Sequence, residues 1–443
     1  MEVVMSNIEL AFLMMAVLMV LMSIRIPIAL SMLVCGAFGY AMIGGFPALL
    51  EYLGTAPVSK FSSYDLSVVP LFLLMGELAT RSGITAELFR TCNTWIGRQR
   101  GGIAMAAIAG CAAFGAICGS SLATASTMGK VALPEMKRLN YSGSLAAGAL
   151  AAGGTLGILI PPSMVLIIFA VLTEQNISKM FIAAFVPGFL AAGGYILAIA
   201  IYVRIYPEAG PRGEKTTFAQ KIKSTKDVWH ITGIFLIVLG GIYLGIFTPT
   251  EAASVGVILT AILAFTHGKM RLDGLLVCLM KTAVSSAMIF FIVLGADLFS
   301  VFIALSRLPD LGVELIQNSG LSPYTILVVM LLTYLVMGCF LDSLAMILLT
   351  IPIYFPMIMA MDFGIPPADL GIWFGILALI VVEVGLITPP VGMNVFIIKS
   401  FDDSLKLKEC FKGVIPFLIS DFVRVALLVL FPSITLGLVH LIA

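Results

Sequence analysis

Two short stretches hold residue types that could do chemistry inside an otherwise apolar chain. Gly119-Ser120-Ser121 lies between two apolar arms, and Asp342-Ser343 lies between two more. Each is followed by a helix-breaking run, Gly157-Ile158-Leu159-Ile160-Pro161-Pro162 and Gly385-Leu386-Ile387-Thr388-Pro389-Pro390. A broken helix exposes carbonyl oxygens on one side of the break and N–H groups on the other. Carbonyls and hydroxyls are hard oxygen ligands that suit Na+, and a helix N-terminus carries a partial positive charge that suits an anion. The first candidate ion site is Gly119, Ser120 and Ser121 with the 157–162 break. The second is Asp342 and Ser343 with the 385–390 break, Thr388 included. An anionic substrate between them would meet Ser121, Asp342 and Ser343 at the tips and Pro161 and Pro389 at the breaks. Thr124, Ser126 and Thr127 follow the first tip. They could reach the same substrate or bond their own helix carbonyls. Taken singly, Gly-Ser-Ser could serve close helix packing and Pro-Pro a kink; it is their repetition that argues for a site.

Charges within the apolar runs are the other candidates, because burying one costs at least about 2 kcal/mol. They are Glu77, Lys130, Asp297, Asp342, Glu383, Asp421 and Arg424. Asp421 and Arg424 share a helix face three residues apart, which favours a local ion pair. Glu383 precedes Gly385 by two residues and could support the second break. Lys130, on the exit arm after Ser121, either attracts an anion or snorkels to the interface; snorkelling is the preferred reading.

The elements that must position these residues follow from composition. The chain is 60% hydrophobic and 11% charged, against about 25% charged in an ordinary soluble domain. Mean hydropathy is +1.11. Apolar runs at 10–24, 229–247, 285–299 and 324–340 recur along its length. Such runs approach the roughly 20 residues a membrane span needs. In lipid the backbone must be satisfied within the segment, so helices are expected. No period-2 alternation supports strands. The first run reads as a retained span, since Glu2 and Glu9 precede it and no small-residue cleavage site follows.

Several functions are excluded. Seven cysteines without a CxxC pair, and three histidines far apart in sequence (His230, His267, His440), point to no metal or disulfide framework. A net charge of +1 leaves no nucleic-acid footprint. Nothing matches GxxxxGK[ST], GxSxG or HExxH, which argues against nucleotide-driven transport and against an enzyme.

Self-comparison shows two related halves. Pro27 matches Pro249, Ser121-Leu122-Ala123 matches Ser343-Leu344-Ala345, and Pro134 matches Pro356, all at a spacing of 222 residues. The 157–162 run matches 385–390 at 228, which implies a six-residue insertion in the second half. Residues 1–206 form the first repeat, 207–228 a basic linker placed in the cytoplasm, and 229–443 the second repeat. Lys and Arg counts in matched loops are 4 in 81–100 against 1 in 303–322, 2 in 134–142 against 0 in 356–370, and 1 in 42–66 against 3 in 266–281. Basic loops stay inside, so the halves insert with opposite orientation, a signature of secondary transporters.

The expected topology has ten crossings and two hairpins, with both termini outside. In the first half, helices 8–24, 28–44 and 68–80 precede an amphipathic arm at 83–98, a re-entrant hairpin at 101–135, a broken helix at 144–173 and a helix at 180–204. In the second, helices 230–247, 252–266 and 283–299 precede an arm at 303–320, a hairpin at 322–358, a broken helix at 371–398 and a last span at 414–440. Pro249-Thr250-Glu251 reads as an external cap, with Thr250 opening the next helix.

Gly119-Ser120-Ser121-Leu122-Ala123-Thr124-Ala125 with Pro134-Glu135-Met136 resembles the first-hairpin motif of the large membrane subunit of tripartite ATP-independent periplasmic (TRAP) transporters, the DctM-like family. Gly245-Ile246-Phe247-Thr248-Pro249-Thr250-Glu251-Ala252-Ala253 and residues 385–390 resemble it too, and the likeness covers essentially the whole chain. The resemblance implies an all-α polytopic membrane protein with two inverted-topology repeats, re-entrant hairpins and discontinuous helices, an elevator-type carrier of the ion-transporter superfamily. It implies Na+-coupled uptake of a small organic acid anion across the bacterial inner membrane, with Na+ as coupling ion and no cofactor. It implies a small four-helix membrane subunit and a periplasmic substrate-binding protein as partners. Carried over by motif, its Na+ sites fall on Ser120 and Ser121 with Gly157, Leu159 and Pro162, and on Ser343 with Gly385, Ile387 and Pro390. The alternative is a self-sufficient Na+/organic anion symporter that needs no binding protein. The charge pattern is testable by itself: cysteine labelling should place segments 81–100 and 303–322 on opposite sides of the membrane, and labelling from one side would defeat the inverted architecture.

Overall fold

Apolar runs without alternation satisfy their backbone away from water as helices, and this chain does so throughout the described residues. The computed structural model describes residues 6–268 and 270–442. Two charges weighed above, Glu2 and Lys269, lie outside the described residues. Within them the regular elements are helices, apart from one isolated bridge between Arg100 and Arg212.

The first half opens with α1 (Asn7–Ser23) and α2 (Ile28–Gly44). Helices α3 (Phe46–Phe61) and α4 (Val68–Arg81) follow, bent by 62° across a 3-10 turn at Asp65–Ser67. The short α5 (Ile84–Ile96) leads into a hairpin of α6 (Gly102–Cys118) and α7 (Ser121–Arg138). Then α8 (Gly143–Leu159) and α9 (Met164–Leu172) meet at a 42° bend, and α10 (Ile177–Ile205) closes the half. After α11 (Phe218–Asp227) the order recurs: α12 (Trp229–Tyr243), α13 (Pro249–Thr266), α14 (Leu272–Leu305) and α15 (Leu308–Ser319). The second hairpin is α16 (Pro323–Gly338) and α17 (Ser343–Met359), the second broken helix α18 (Pro367–Gly385) and α19 (Met393–Lys399). Helices α20 (Leu407–Leu430) and α21 (Ser433–Ile442) end the chain.

Four local readings need correction. The 42–66 segment, read as a loop, contains α3. Its charges misled: Lys60 and Tyr52 both turn inward onto Asp297. The helix read at 283–299 is the 34-residue α14. It matches α3 and α4 together, because no counterpart of the Ser62-Ser63 interruption breaks it. The 414–440 span is divided between α20 and α21 at Phe431-Pro432, where proline removes a backbone donor. The cap of α13 is Thr248 rather than Thr250: its hydroxyl accepts from Glu251 N while the Glu251 carboxylate accepts from Thr248 N, with Pro249 at the first helical position. By length and hydropathy alone, five helices could cross a membrane, or eight if each bent pair is one span.

Contacts between the halves are reciprocal. Helix α2 packs on α14, and α13, its counterpart, packs on α4. Gly36 sits where an added Cβ would lie 2.8 Å from Phe299 N, and Gly256 where one would lie 2.5 Å from Met75 Sδ. Lys60 pairs with Asp297 at 2.8 Å, and Lys281 with Glu77 at 3.4 Å. Each half thus lends a lysine to an acid of the other, so most of the intramembrane charges singled out in the sequence have partners. The hairpins, the broken helices, α10 and α20 pack into a second layer against this frame.

Within that second layer two glycine pairs set how closely helices approach. A Cβ on Gly115 of α6 would lie 2.5 Å from Gly157 Cα in α8, and one on Gly385 of α18 would lie 2.5 Å from Gly338 Cα in α16. Gly115→Val or Gly385→Val should lower the melting temperature in detergent, since over-packing costs about 1–3 kcal/mol. Gly193→Ala, with nothing within 4 Å, should leave it unchanged. A second prediction concerns Lys137 on α7, whose ammonium lies 2.7 Å from Asp402 in the loop before α20. That bond, with help from Ser404, holds the Asp402 carboxyl down to about 2. A depressed folded-state value means the contact stabilises above the unfolded value and is lost as pH falls toward 2. Asp402→Asn should therefore cost up to about 1 kcal/mol at neutral pH, and the deficit should shrink in melts taken down through about pH 4 to about pH 2.

Candidate functional site

The first hairpin turns at Gly119, which holds φ +63° as the C-cap of α6. Ser120 then caps α7, its hydroxyl accepting from Ala123 N. The first broken helix stops at Leu159 and restarts after Ser163, whose hydroxyl accepts from Leu166 N. The second hairpin turns through residues 339–342, with Asp342 as N-cap of α17. The second broken helix stops at Gly385 and restarts after Gly392, at φ +63°. Each break therefore ends one helix and starts another; the first is buried throughout, whereas Pro389 and Pro390 of the second are exposed.

These four features meet. One cavity of about 130 Å³ is lined by Gly119, Ser120 and Ser121 of the first tip, by Asp342 and Ser343 of the second, by Met164 beyond the first break, and by Leu386 and Met393 at the second. Leu73 of α4 and Ile289 of α14 complete its wall from the frame. Small-molecule pockets usually span roughly 300–1,000 Å³, so the cavity is closed down around a few water volumes.

Around it lies a buried polar cluster. Asn394, wholly buried on α19, donates to Ser121 Oγ at 2.9 Å and to the Ala151 carbonyl at 3.3 Å. Ser343 donates to Glu383 Oε1 at 2.6 Å, and the Ser121 hydroxyl also lies beside that carboxyl. One hydroxyl from each tip thus flanks the same buried carboxyl of α18. Three oxygens in this region have no partner among the described residues: Glu383 Oε2, Asn394 Oδ1 and Thr124 Oγ1. Thr124 Oγ1 and the Ser120 carbonyl lie 2.4 and 2.6 Å from the point where a Gly157 Cβ would sit. A side chain at 157 would collide with both oxygens, so this close approach requires glycine.

Not every residue nominated from the sequence lines the cavity. Gly157, Gly385, Leu159 and Ile387 are buried just behind it. Thr388 donates back to the Val384 carbonyl at 2.7 Å. Thr124 is buried and Thr127 half-buried on the next turn of α7. Pro161-Pro162 and Pro389-Pro390 are cis and shape the breaks. The Pro162 carbonyl abuts Gly119, and the Pro389 carbonyl accepts from Cys339 Sγ at 3.1 Å. Asp421 and Arg424 do form the local pair, at 2.7 Å, and Tyr195 donates to Asp421 and contacts Thr155. Lys130 is exposed over the Phe401 ring. Asn394 escaped the sequence reading, because its counterpart at the 228 spacing is Leu166. A polar side chain two residues after Gly392, at a helix restart, was the available signal.

The family model of the tripartite ATP-independent periplasmic transporters, DctM component, matches residues 15–434. A C4-dicarboxylate TRAP transporter large permease protein DctM from Pseudomonas aeruginosa is 36% identical over 85% of this chain and 86% of its own length. A sialic acid TRAP transporter large permease protein SiaM from Vibrio cholerae is 30% identical over 88% of this chain and 90% of its own. The crystal structure of the Alcanivorax borkumensis YdaH transporter shares the fold, with a TM-score of 0.62 over 87% of this chain and 89% of that one, at 15% identity. The converging tips and breaks, the all-helical fold and a match over nearly the whole length lead to one conclusion: this chain belongs to the DctM component, the large permease, of the TRAP transporters.

Proposed function

We propose that this chain is the transport subunit for Na+-coupled uptake of a small organic acid anion across the bacterial inner membrane. It receives the anion from a periplasmic binding protein and works beside a small four-helix membrane subunit. The observation that carries the reading is the single cavity lined by both hairpin tips and flanked by both breaks. The frame of α1–α4 and α12–α14 stays fixed while the tips, breaks, α10 and α20 move as the carrier block. Both termini are periplasmic.

The donor set suits a hard monovalent cation. On the first side, the Ser120 carbonyl and Thr124 hydroxyl face the space beside Gly157. On the second side, Ser343 and Glu383 present a hydroxyl and a carboxylate, one oxygen of which lacks a protein partner. An ionised carboxylate that deep is costly without a counter-charge, and Na+ supplies one. Ser120, Ser121, Gly157, Leu159 and Pro162 frame one ion; Ser343, Gly385, Ile387, Thr388 and Pro390 frame the other. The anion then sits between the tips, against Ser121, Asp342 and Ser343, at the positive ends of the restarting helices with Pro161 and Pro389 behind it. Thr124 and Thr127 extend that wall along α7. C4-dicarboxylates and sialic acid, the substrates named for its relatives, are both acids of this class. A cavity of about 130 Å³ must open before either fits.

Reconstituted in liposomes with its small subunit and binding protein, the chain should take up substrate only under an inward Na+ gradient. Uptake indifferent to that gradient would defeat the coupling. Ser343→Ala removes the bonded partner of Glu383 and leaves that oxygen bare, a loss of about 1–3 kcal/mol. It should raise the Na+ concentration for half-maximal uptake roughly tenfold while leaving binding-protein affinity for substrate unchanged. Gly157→Ala, whose methyl would press on the Thr124 hydroxyl and the Ser120 carbonyl, should do the same through the first site.

A further inference from the structure

Apart from the candidate transport cavity, the structure contains a basic pocket. It has a volume of about 550 Å³ and gathers Arg98, Arg100, Arg204, Arg212 and Lys221 around Trp95, with no carboxylate in its lining. These cations come from the end of α5, the end of α10 and the linker, segments far apart in sequence. None of the five takes part in an ion pair among the described residues. The backbone itself enforces the crowding. Gly101 N donates to the Gly210 carbonyl at 2.9 Å and Gly213 N to the Gly97 carbonyl at 3.1 Å, so that Arg100 and Arg212 form an antiparallel bridge. Like charges set opposite each other in such a pair are destabilising, and a bound anion removes that penalty.

We propose that this pocket holds the phosphate-ester head group of an anionic phospholipid. Three features favour a lipid over a free anion. Met105, Ala200 and Val203 give the pocket an apolar wall beside the charges. Lys221 lies 5.4 Å from the Trp95 ring centroid, and Trp95 is exposed; tryptophan with basic residues marks the head-group level. An apolar groove of about 600 Å³ runs between α10 and α20, and Ile205 lines it one residue after Arg204 lines the pocket. A head group at the pocket can lay an acyl chain into that groove. Basic pockets between helices on the cytoplasmic side recognise such lipids; the inside placement of this face rests on the loop charges. A head group here joins the arm, the base of the first hairpin, the end of α10 and the linker.

The full chain, purified with its small subunit, is delipidated and titrated in detergent with cardiolipin, phosphatidylglycerol or phosphatidylethanolamine, with retention read by native mass spectrometry. Cardiolipin and phosphatidylglycerol should be retained over phosphatidylethanolamine. The double variant Arg100→Gln/Arg212→Gln should lose that preference by about tenfold or more. Lys408→Gln/Lys412→Gln removes as many exposed charges outside the pocket and should keep it. Should the first variant melt early, Arg98→Gln/Arg204→Gln is the replacement, with the same expected loss. Equal retention of all three lipids, or equal loss in the pocket variants and the lysine control, would overturn the proposal. Displacement of the lipid by about 10 mM inorganic phosphate would assign the pocket to a soluble anion and overturn the lipid reading.

Discussion

A helix interrupted in an apolar medium leaves carbonyl and amide groups that no solvent can satisfy, so such breaks persist only where protein or a ligand surrounds them. Two breaks of this kind, after Leu159 and after Gly385, organise the inner layer of this chain. Each has a hairpin tip pressed against it. The approach is so close that glycine meets glycine, Gly115 on Gly157 and Gly338 on Gly385. The same closeness keeps polar atoms of both tips within reach of the breaks, so the packing constraint and the candidate ion sites are one arrangement seen twice.

The two halves are alike in plan and unlike in charge. Glu383 stands two residues before its glycine, where the first half has Thr155. Thr155 is tied off by Tyr195 and thence to Asp421 and Arg424, whereas Glu383 keeps one oxygen without a protein partner. Asn394 crosses from the second break to Ser121 of the first tip, which couples the sides directly. At the matched position of Thr155 and Glu383, one half thus offers a neutral hydroxyl and the other a carboxyl.

Outside that block, charge serves assembly. Lys60 with Asp297 and Lys281 with Glu77 cross between the halves in opposite senses. Both lysine side chains are half-exposed, so these pairs define how the halves fit more than they add stability. The cations gathered near the linker, Arg98, Arg100, Arg204, Arg212 and Lys221, have no such partners among the described residues.

The sequence by itself determined the helical class, because long apolar runs without period-2 alternation satisfy their backbone as helices and not as barrel strands. It also determined the hairpin tips at Gly119 and Asp342 and the two Pro-Pro breaks, since glycine, proline and helix caps act locally and recur at a fixed spacing. It did not reveal α3, whose charges look like loop signals until Lys60 and Tyr52 find Asp297 on α14. Nor did it reveal Asn394, which gains meaning only when α19 is laid against α7 and α8. Bringing Ser121, Ser343 and Glu383 to one point was likewise left to tertiary structure. Side chains more than 200 residues apart meet only through the packing of two halves, and no local propensity encodes that distance.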